Sequence, residues 1–156
     1  MGQIDKRLKE LNIELPVAAA PVANYVPAVL AGNLLVVSGQ LCFGLDGKLA
    51  PRHIGKLGAS VSPEDGKDAA RLCALNLLAQ AKAVLGNLDR IKRCVRLGGF
   101  INATPDFTAL PAIMNGASDA MVEILGDKGR HARSTVGMSV LPMDCAVEVE
   151  AMFEVV

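Results

Sequence analysis

The sequence predicts an α+β fold in which a mixed β-sheet carries two helices packed on one face. Three observations predict it. Strand-like segments occur near both ends and in the middle of the chain, as short apolar runs over 26–37 and as period-two alternation of apolar and polar residues in the last quarter. Residues 62–86 instead space their apolar residues by three and four between start and stop signals, and a second helix is bounded by Pro111 and by Gly126 and Gly129. The resulting order is hairpin, helix, strand, helix, hairpin, which leaves two helices to cover the apolar side of one sheet.

Residues 3–11 place Ile4, Leu8 and Leu11 on one side and lysines on the other, as a short amphipathic helix does. A proline-rich arm follows. Val26–Leu30 and Leu34–Val37 are apolar runs separated by Ala31-Gly-Asn33, the composition of a tight hairpin turn, and Ser38-Gly-Gln40 closes the second run. Residues 49–61 have no clear period and read as a loop with at most one short strand. Ser62-Pro-Glu-Asp65 then supplies an N-cap hydroxyl, a proline at the first helical position and acidic side chains beside the free N–H groups. Gly86 ends that helix. Ile91–Asn102 reads as a strand with Val95 and Leu97 inward and a bulge at Gly98-Gly99. The second helix begins near Pro111, and Gly126 and Gly129 end it. No repeat or linker interrupts the chain, so a single domain over residues 1–156 is expected, with the helix and proline-rich arm occupying 1–24.

In the last quarter, Ser134, Val136, Met138 and Val140 form an apolar set expected in the core, while Arg133, Thr135, Gly137 and Ser139 form the other set. Val147, Val149, Ala151 and Phe153 alternate with Glu148, Glu150, Met152 and Glu154. With Leu141-Pro-Met-Asp144 as a four-residue turn, antiparallel pairing sets Arg133 opposite Met152, Thr135 opposite Glu150 and Gly137 opposite Glu148. On this reading one arginine and two carboxylates share a sheet face turned away from the helices. Charged sheet faces usually meet water, but glycine and small residues around these charges suit close approach by another surface. Arg133 and Glu148 would still lie about 13 Å apart along the strands. A small substrate touching both therefore implies a neighbouring subunit that supplies one of them.

Composition narrows the function. Hydrophobic residues make up 51 % of the chain and mean hydropathy is +0.35, more apolar surface than a monomer needs, so an oligomer is expected. Sixteen basic residues balance sixteen acidic ones and aromatics are 3 %, which removes both attraction to phosphate backbones and stacking platforms for bases. Cys42, Cys73, Cys94 and Cys145 form no CxxC pair and lie in apolar segments, as buried thiols of a reducing compartment do. Two histidines without clustered ligands make a zinc site unexpected. Prolines break the apolar stretch from Leu15 to Ala31, which is neither a secretory signal nor a membrane span. The expected location is cytoplasmic, with no nucleic-acid or membrane partner.

Several short motifs occur together: Asn33-Leu-Leu-Val-Val-Ser-Gly-Gln40, Gly99-Phe-Ile-Asn102, Asp106-Phe107, Asn115-Gly-Ala-Ser118, His131-Ala-Arg-Ser-Thr-Val136 and Leu141-Pro142 through Val147-Glu-Val-Glu150. In this combination the chain from about Tyr25 to Met152 resembles the RidA (YjgF) family, some of whose members carry an endoribonuclease L-PSP label. The early helix, the loop around His53 and the Gly129-Arg-His-Ala-Arg133 form look like a longer subgroup. The resemblance implies a chorismate-mutase-like fold, a homotrimer with clefts between subunits, and cofactor-free hydrolysis of enamines or imines such as 2-aminoacrylate to 2-keto acids and ammonia. By motif, Arg133 would hold the substrate carboxylate and Glu148 would position water or transfer the proton. Tyr25, Ser38, Gly39 and Asn115 would line the pocket, with Thr135 standing where many family deaminases have cysteine.

The chemistry is reasonable on its own terms. A guanidinium fork grips a planar carboxylate with two charge-assisted hydrogen bonds, and an imine is electrophilic enough for one carboxylate and a water to suffice. Each residue also has a structural reading: Tyr25 at a subunit edge, Ser38 capping a turn, His131 forming a salt link or capping the preceding loop, and Glu150 pairing with Arg133 or a neighbouring subunit's lysine. Against the deaminase stand a trimer that binds a small carboxylate metabolite without turnover, an endoribonuclease, which the neutral charge disfavours, and a purely structural trimer.

Overall fold

The start signal at Ser62 acts as its chemistry requires. Ser62 Oγ accepts the Asp65 N–H at 3.1 Å, and helix α2 runs Pro63–Leu85, ending at Gly86 with φ of 74°. The computed structural model describes every residue, Met1–Val156. Before α2 come helix α1 (Gln3–Glu10) and strands β1 (Ala28–Ala31) and β2 (Leu34–Leu41); after it come β3 (Ile91–Asn102), α3 (Leu110–Leu125), β4 (Ala132–Met138) and β5 (Val147–Val155). Strands β1 and β2 form the expected hairpin around Gly32, whose φ of 61° suits the turn. The loop over 49–61 contains a 3-10 turn at Pro51–His53 and isolated bridges, with no strand. No helix is long and apolar enough to cross a membrane.

The sheet has the order β1-β2-β5-β3-β4, and α2 and α3 cover one face of it. Between helices and sheet, Leu35, Leu97, Ile101, Val147, Val149 and Phe153 pack with Leu77, Leu78, Ile113, Met114 and Met121 in one core. All four cysteines are buried and free. From Cys73 to Ala81 helix α2 is buried on every side, because the sheet, α3 and the N-terminal segment surround it there. It meets α3 most closely at Gly116, where a methyl group would overlap the Lys67 carbonyl oxygen.

The C-terminal pairing differs from the sequence expectation. Strands β4 and β5 do not form a hairpin: β4 runs parallel to β3, with Arg133 beside Leu97 and Thr135 beside Gly99, while β5 inserts between β2 and β3, antiparallel to both. The edges of the sheet are therefore β1 and β4, and β5 is central. The reason lies in the connection. Residues 142–144 form a 3-10 turn with Met143 and Asp144 in left-handed conformation, and the chain then passes across the end of β3. Asn102 holds it there, donating its N–H to the Ala146 carbonyl at 2.9 Å and its Nδ2 to Asp144 Oδ1 at 2.9 Å and the Cys145 carbonyl at 3.2 Å. Parallel strands need a crossover, and α3 is the crossover between β3 and β4.

This pairing also reverses the faces of β4. Its Arg133, Thr135 and Gly137 share the helix-covered side with Leu97, Gly99 and Ile101, whereas Val136 (46 % exposed) and Met138 (37 %), expected in the core, lie on the open face with Glu148 and Glu150. The bulges in β3 fall between Ile91 and Arg93 and between Cys94 and Arg96, not at Gly98-Gly99. They turn Cys94 inward and leave Val95 exposed.

A methyl group at Gly116 would meet the backbone of Lys67 first, which cannot swing aside as a side chain does. Gly116→Ala is expected to lower stability by about 1–3 kcal/mol, read from urea unfolding; unchanged stability would contradict the close approach of α2 and α3.

Candidate active site

Arg133 emerges at the sheet edge beneath α3. Its Nη1 donates to Ser118 Oγ at 3.0 Å and its Nη2 to the Pro111 carbonyl at 3.3 Å. Pro111, Asn115 and Ser118 recur at spacings of four and three, so they form one stripe along α3, and the exposed Asn115 lies on the stripe that grips Arg133. Two positions further along the same row of β4, Thr135 Oγ1 is buried without a hydrogen-bond partner, a costly state for a hydroxyl. Arg133, Thr135 and Asn115 thus form one group. With two of its five N–H groups held by α3, the guanidinium keeps the rest to receive an anion.

A second group lies across the sheet. Strand β2 bulges between Val37 and Gln40, and there Gly39 lies against Glu148, so closely that a methyl group on Gly39 would overlap Glu148 Oε1. Ser38 Oγ donates to the Val26 carbonyl at 2.9 Å, which ties down the segment beside the exposed Tyr25. Ser38 therefore has the capping role, and its hydroxyl still borders Gly39. Burial, followed by the negative charge of Glu150, raises the pKa of Glu148 above the ordinary glutamate value. Glu150 itself pairs with Arg96 at 3.4 Å rather than with Arg133, and Gly98 leaves room for its side chain.

The two groups do not meet within one chain. Glu148 pairs with Phe100 and Arg133 with Leu97, which sets them two strands and three residues apart, roughly 10 Å in each direction. They also project from opposite faces, so the shared face expected from the sequence does not exist. Period-two alternation could not reveal this, because it gives the two faces of each strand but not the partner that decides which face is covered.

Two contributors escaped the sequence reading. The Pro111 carbonyl and Ser118 fix the guanidinium, and only their spacing of seven residues on a helix hints at a common role. His131 caps the preceding turn as one reading expected, with Nδ1 at 2.6 Å from the Gly129 carbonyl, and its other nitrogen lies 2.9 Å from Ser118 Oγ.

Sheet order, paired helices and these two groups of residues define a small α+β protein with an arginine at one sheet edge and a glutamate of raised pKa across the sheet. Residues 5–155 match the family described as "YjgF/chorismate_mutase-like, putative endoribonuclease", and the chain belongs to that family. It is 46 % identical to protein TCP17 of Trypanosoma cruzi over 154 residues, 98 % of this chain and 94 % of that one. It is 28 % identical to the 2-iminobutanoate/2-iminopropanoate deaminase of Dermatophagoides farinae over 90 % of this chain and 92 % of that one. Among solved structures, the protein Atu1372 of Agrobacterium tumefaciens, of unknown function, superimposes with a TM-score of 0.90 at 46 % identity, covering 98 % of this chain and 92 % of that one.

The raised pKa of Glu148 has a consequence for stability. The folded chain keeps a proton there that the unfolded chain releases, so the group costs nothing at pH below the unfolded value and becomes a burden as pH rises through the folded one. Glu148→Gln is therefore expected to raise Tm by roughly 1–3 °C at pH 7, with the gain vanishing below about pH 4. Thermal unfolding across that range measures it; a gain that grows on acidification would have the wrong sign.

Proposed function

We propose that this protein hydrolyses small enamine or imine carboxylates to 2-oxo acids and ammonia, in clefts between the subunits of a homotrimer. The observation that carries the proposal is the guanidinium of Arg133, held at two points by α3 and open to a ligand at the edge of the sheet. A planar carboxylate conjugated to C=N is the anion that such a fork fits. Thr135, whose buried hydroxyl has no partner, and Asn115 flank it.

In the reaction water adds to the imine carbon while the nitrogen takes up a proton, and the resulting carbinolamine expels ammonia as its C–O bond becomes a carbonyl. A carboxyl group with a raised pKa can accept a proton from the water and return it to the departing nitrogen. Glu148 is such a group, and an enamine needs only a prior proton transfer to carbon to enter the same path. The division of the two half-sites between faces supports assembly across a subunit boundary, with Arg133, Thr135 and Asn115 from one subunit and Tyr25, Ser38, Gly39 and Glu148 from the next. The exposed Val136, Met138 and Val140 on and just beyond edge strand β4 offer the apolar surface for that boundary. The likeness to a named imine deaminase agrees with this substrate class. Balanced charge and scarce aromatics count against an RNA substrate.

The test generates 2-aminoacrylate and bulkier imino acids in situ with a dehydratase and an amino-acid oxidase and follows 2-oxo acid release. Wild type is expected to accelerate release; Arg133→Lys, which cannot reproduce the fork, loses at least roughly tenfold in kcat/KM, and Glu148→Gln loses roughly 100-fold in kcat. Absence of acceleration with every imine, while a 2-oxo acid still binds, would make the protein a carboxylate-binding trimer instead.

A further inference from the structure

Arg133 does not rest on α3 alone. Its contact, Ser118, also touches His131 on the far side, and the hydrogen positions along this chain are determined by its last member. The Gly129 carbonyl can only accept, so His131 Nδ1, 2.6 Å away, carries a proton. In the neutral ring Nε2 is then bare and accepts the Ser118 hydroxyl at 2.9 Å. That leaves a lone pair of Ser118 Oγ facing Arg133 Nη1 at 3.0 Å. Every donor therefore points one way, from guanidinium to hydroxyl to imidazole to carbonyl.

We propose that Ser118 and His131 are positioning residues that lock the Arg133 guanidinium for carboxylate capture, and that protonation of His131 releases the lock. This rests on the functional reading above and extends it to residues that touch no substrate. A protonated ring presents a second N–H to Ser118 Oγ. Two cations would then share one oxygen, and the hydroxyl proton would lose its acceptor. Burial, with a smaller contribution from the positive charge of Arg133, holds His131 below the ordinary imidazole value, although the Gly129 carbonyl opposes the shift. The ring is thus neutral at physiological pH, and the lock opens only on acidification.

The surroundings supply no compensating carboxylate. Ser118 faces the ring from α3, where Asp119 is exposed and Glu123 is bound by Arg71 at 2.6 Å. On the preceding turn Asp127, Lys128 and Arg130 are exposed, with Asp127 and Arg130 paired at 3.3 Å. From β3, Arg96 is engaged with Glu150. Arg133 is the charge that acts on the ring.

Four variants test the lock. Ser118→Ala and His131→Ala are expected to raise KM for the imino acid, and Kd for 2-oxobutanoate as a stable probe, roughly tenfold with little change in kcat. His131→Gln can still accept the Ser118 hydroxyl but cannot be protonated near neutrality. It is expected to keep a KM near that of wild type and to lose the rise in Kd for 2-oxobutanoate that wild type shows below about pH 6.5; kcat/KM is not the readout, because protonation of Glu148 lowers it in every variant. Imidazole titration by NMR needs no turnover, and in Arg133→Gln the His131 pKa is expected to rise as the neighbouring charge is removed. The proposal is overturned if Ser118→Ala leaves KM and Kd within twofold, if the acid rise in Kd for 2-oxobutanoate persists in His131→Gln, or if the His131 titration ignores Arg133. Wild type that neither turns over nor binds 2-oxobutanoate, with the NMR coupling intact, overturns the functional reading and the capture role while leaving the three-residue network standing.

Discussion

The parallel pairing of β4 with β3 is the constraint on which the rest depends. It fixes which side of β4 is covered, and so brings Arg133 under α3, leaves Val136 and Met138 on the open face, and makes β4 an edge. Had β4 paired with β5, the arginine would have shared a face with two glutamates and become one more solvated charge. Strand β3, helix α3 and strand β4 form a single crossover unit, and the same helix that makes the connection also supplies Pro111, Ser118 and Asn115 around the guanidinium. Connectivity and site construction are thus one event.

Local chemistry was legible where it acts alone. Ser62 and Gly86 bound α2, Gly32 turns the first hairpin, and Ile91–Asn102 is a strand over the expected residues. Helix α2, by contrast, is buried far beyond its apolar stripe, because its surroundings include α1 and the arm as well as the sheet. The C-terminal pairing was misread because two alternating segments joined by a proline-containing connection satisfy a hairpin locally. What excludes it is non-local: Asn102 at the end of β3 holds the connection by side chain and backbone, and β5 finds partners on both edges only in the middle of the sheet. The motifs pointed to Arg133, Glu148 and Gly39 as residues, but alternation placed Arg133 on the wrong face. Ser118 and His131 stood inside the motifs, and His131 was legible as a loop cap, but nothing local in the sequence joined the two to the guanidinium.

The two half-sites differ in kind. Around Arg133 the protein fixes a permanent charge with neutral partners, a serine, a carbonyl and a buried neutral histidine. Around Glu148 it does the reverse, surrounding the carboxyl with burial, a like charge and a glycine, so that its proton is retained more readily. One suits holding an anion and the other suits moving a proton. Placed on opposite faces of one sheet they do no joint work, and this is the physical argument for a site completed by a second copy of the chain.

Mixing two inactive variants tests that claim most directly. Arg133→Ala and Glu148→Ala are unfolded together, refolded as mixed oligomers, and assayed for 2-oxo acid release from an imino acid. If each cleft takes its arginine from one subunit and its glutamate from the next around a closed ring, random mixing at equal amounts restores about one quarter of wild-type activity, whereas neither variant refolded alone shows any. Mixed oligomers as inactive as their parents would mean that both residues must come from one subunit, and would contradict the account.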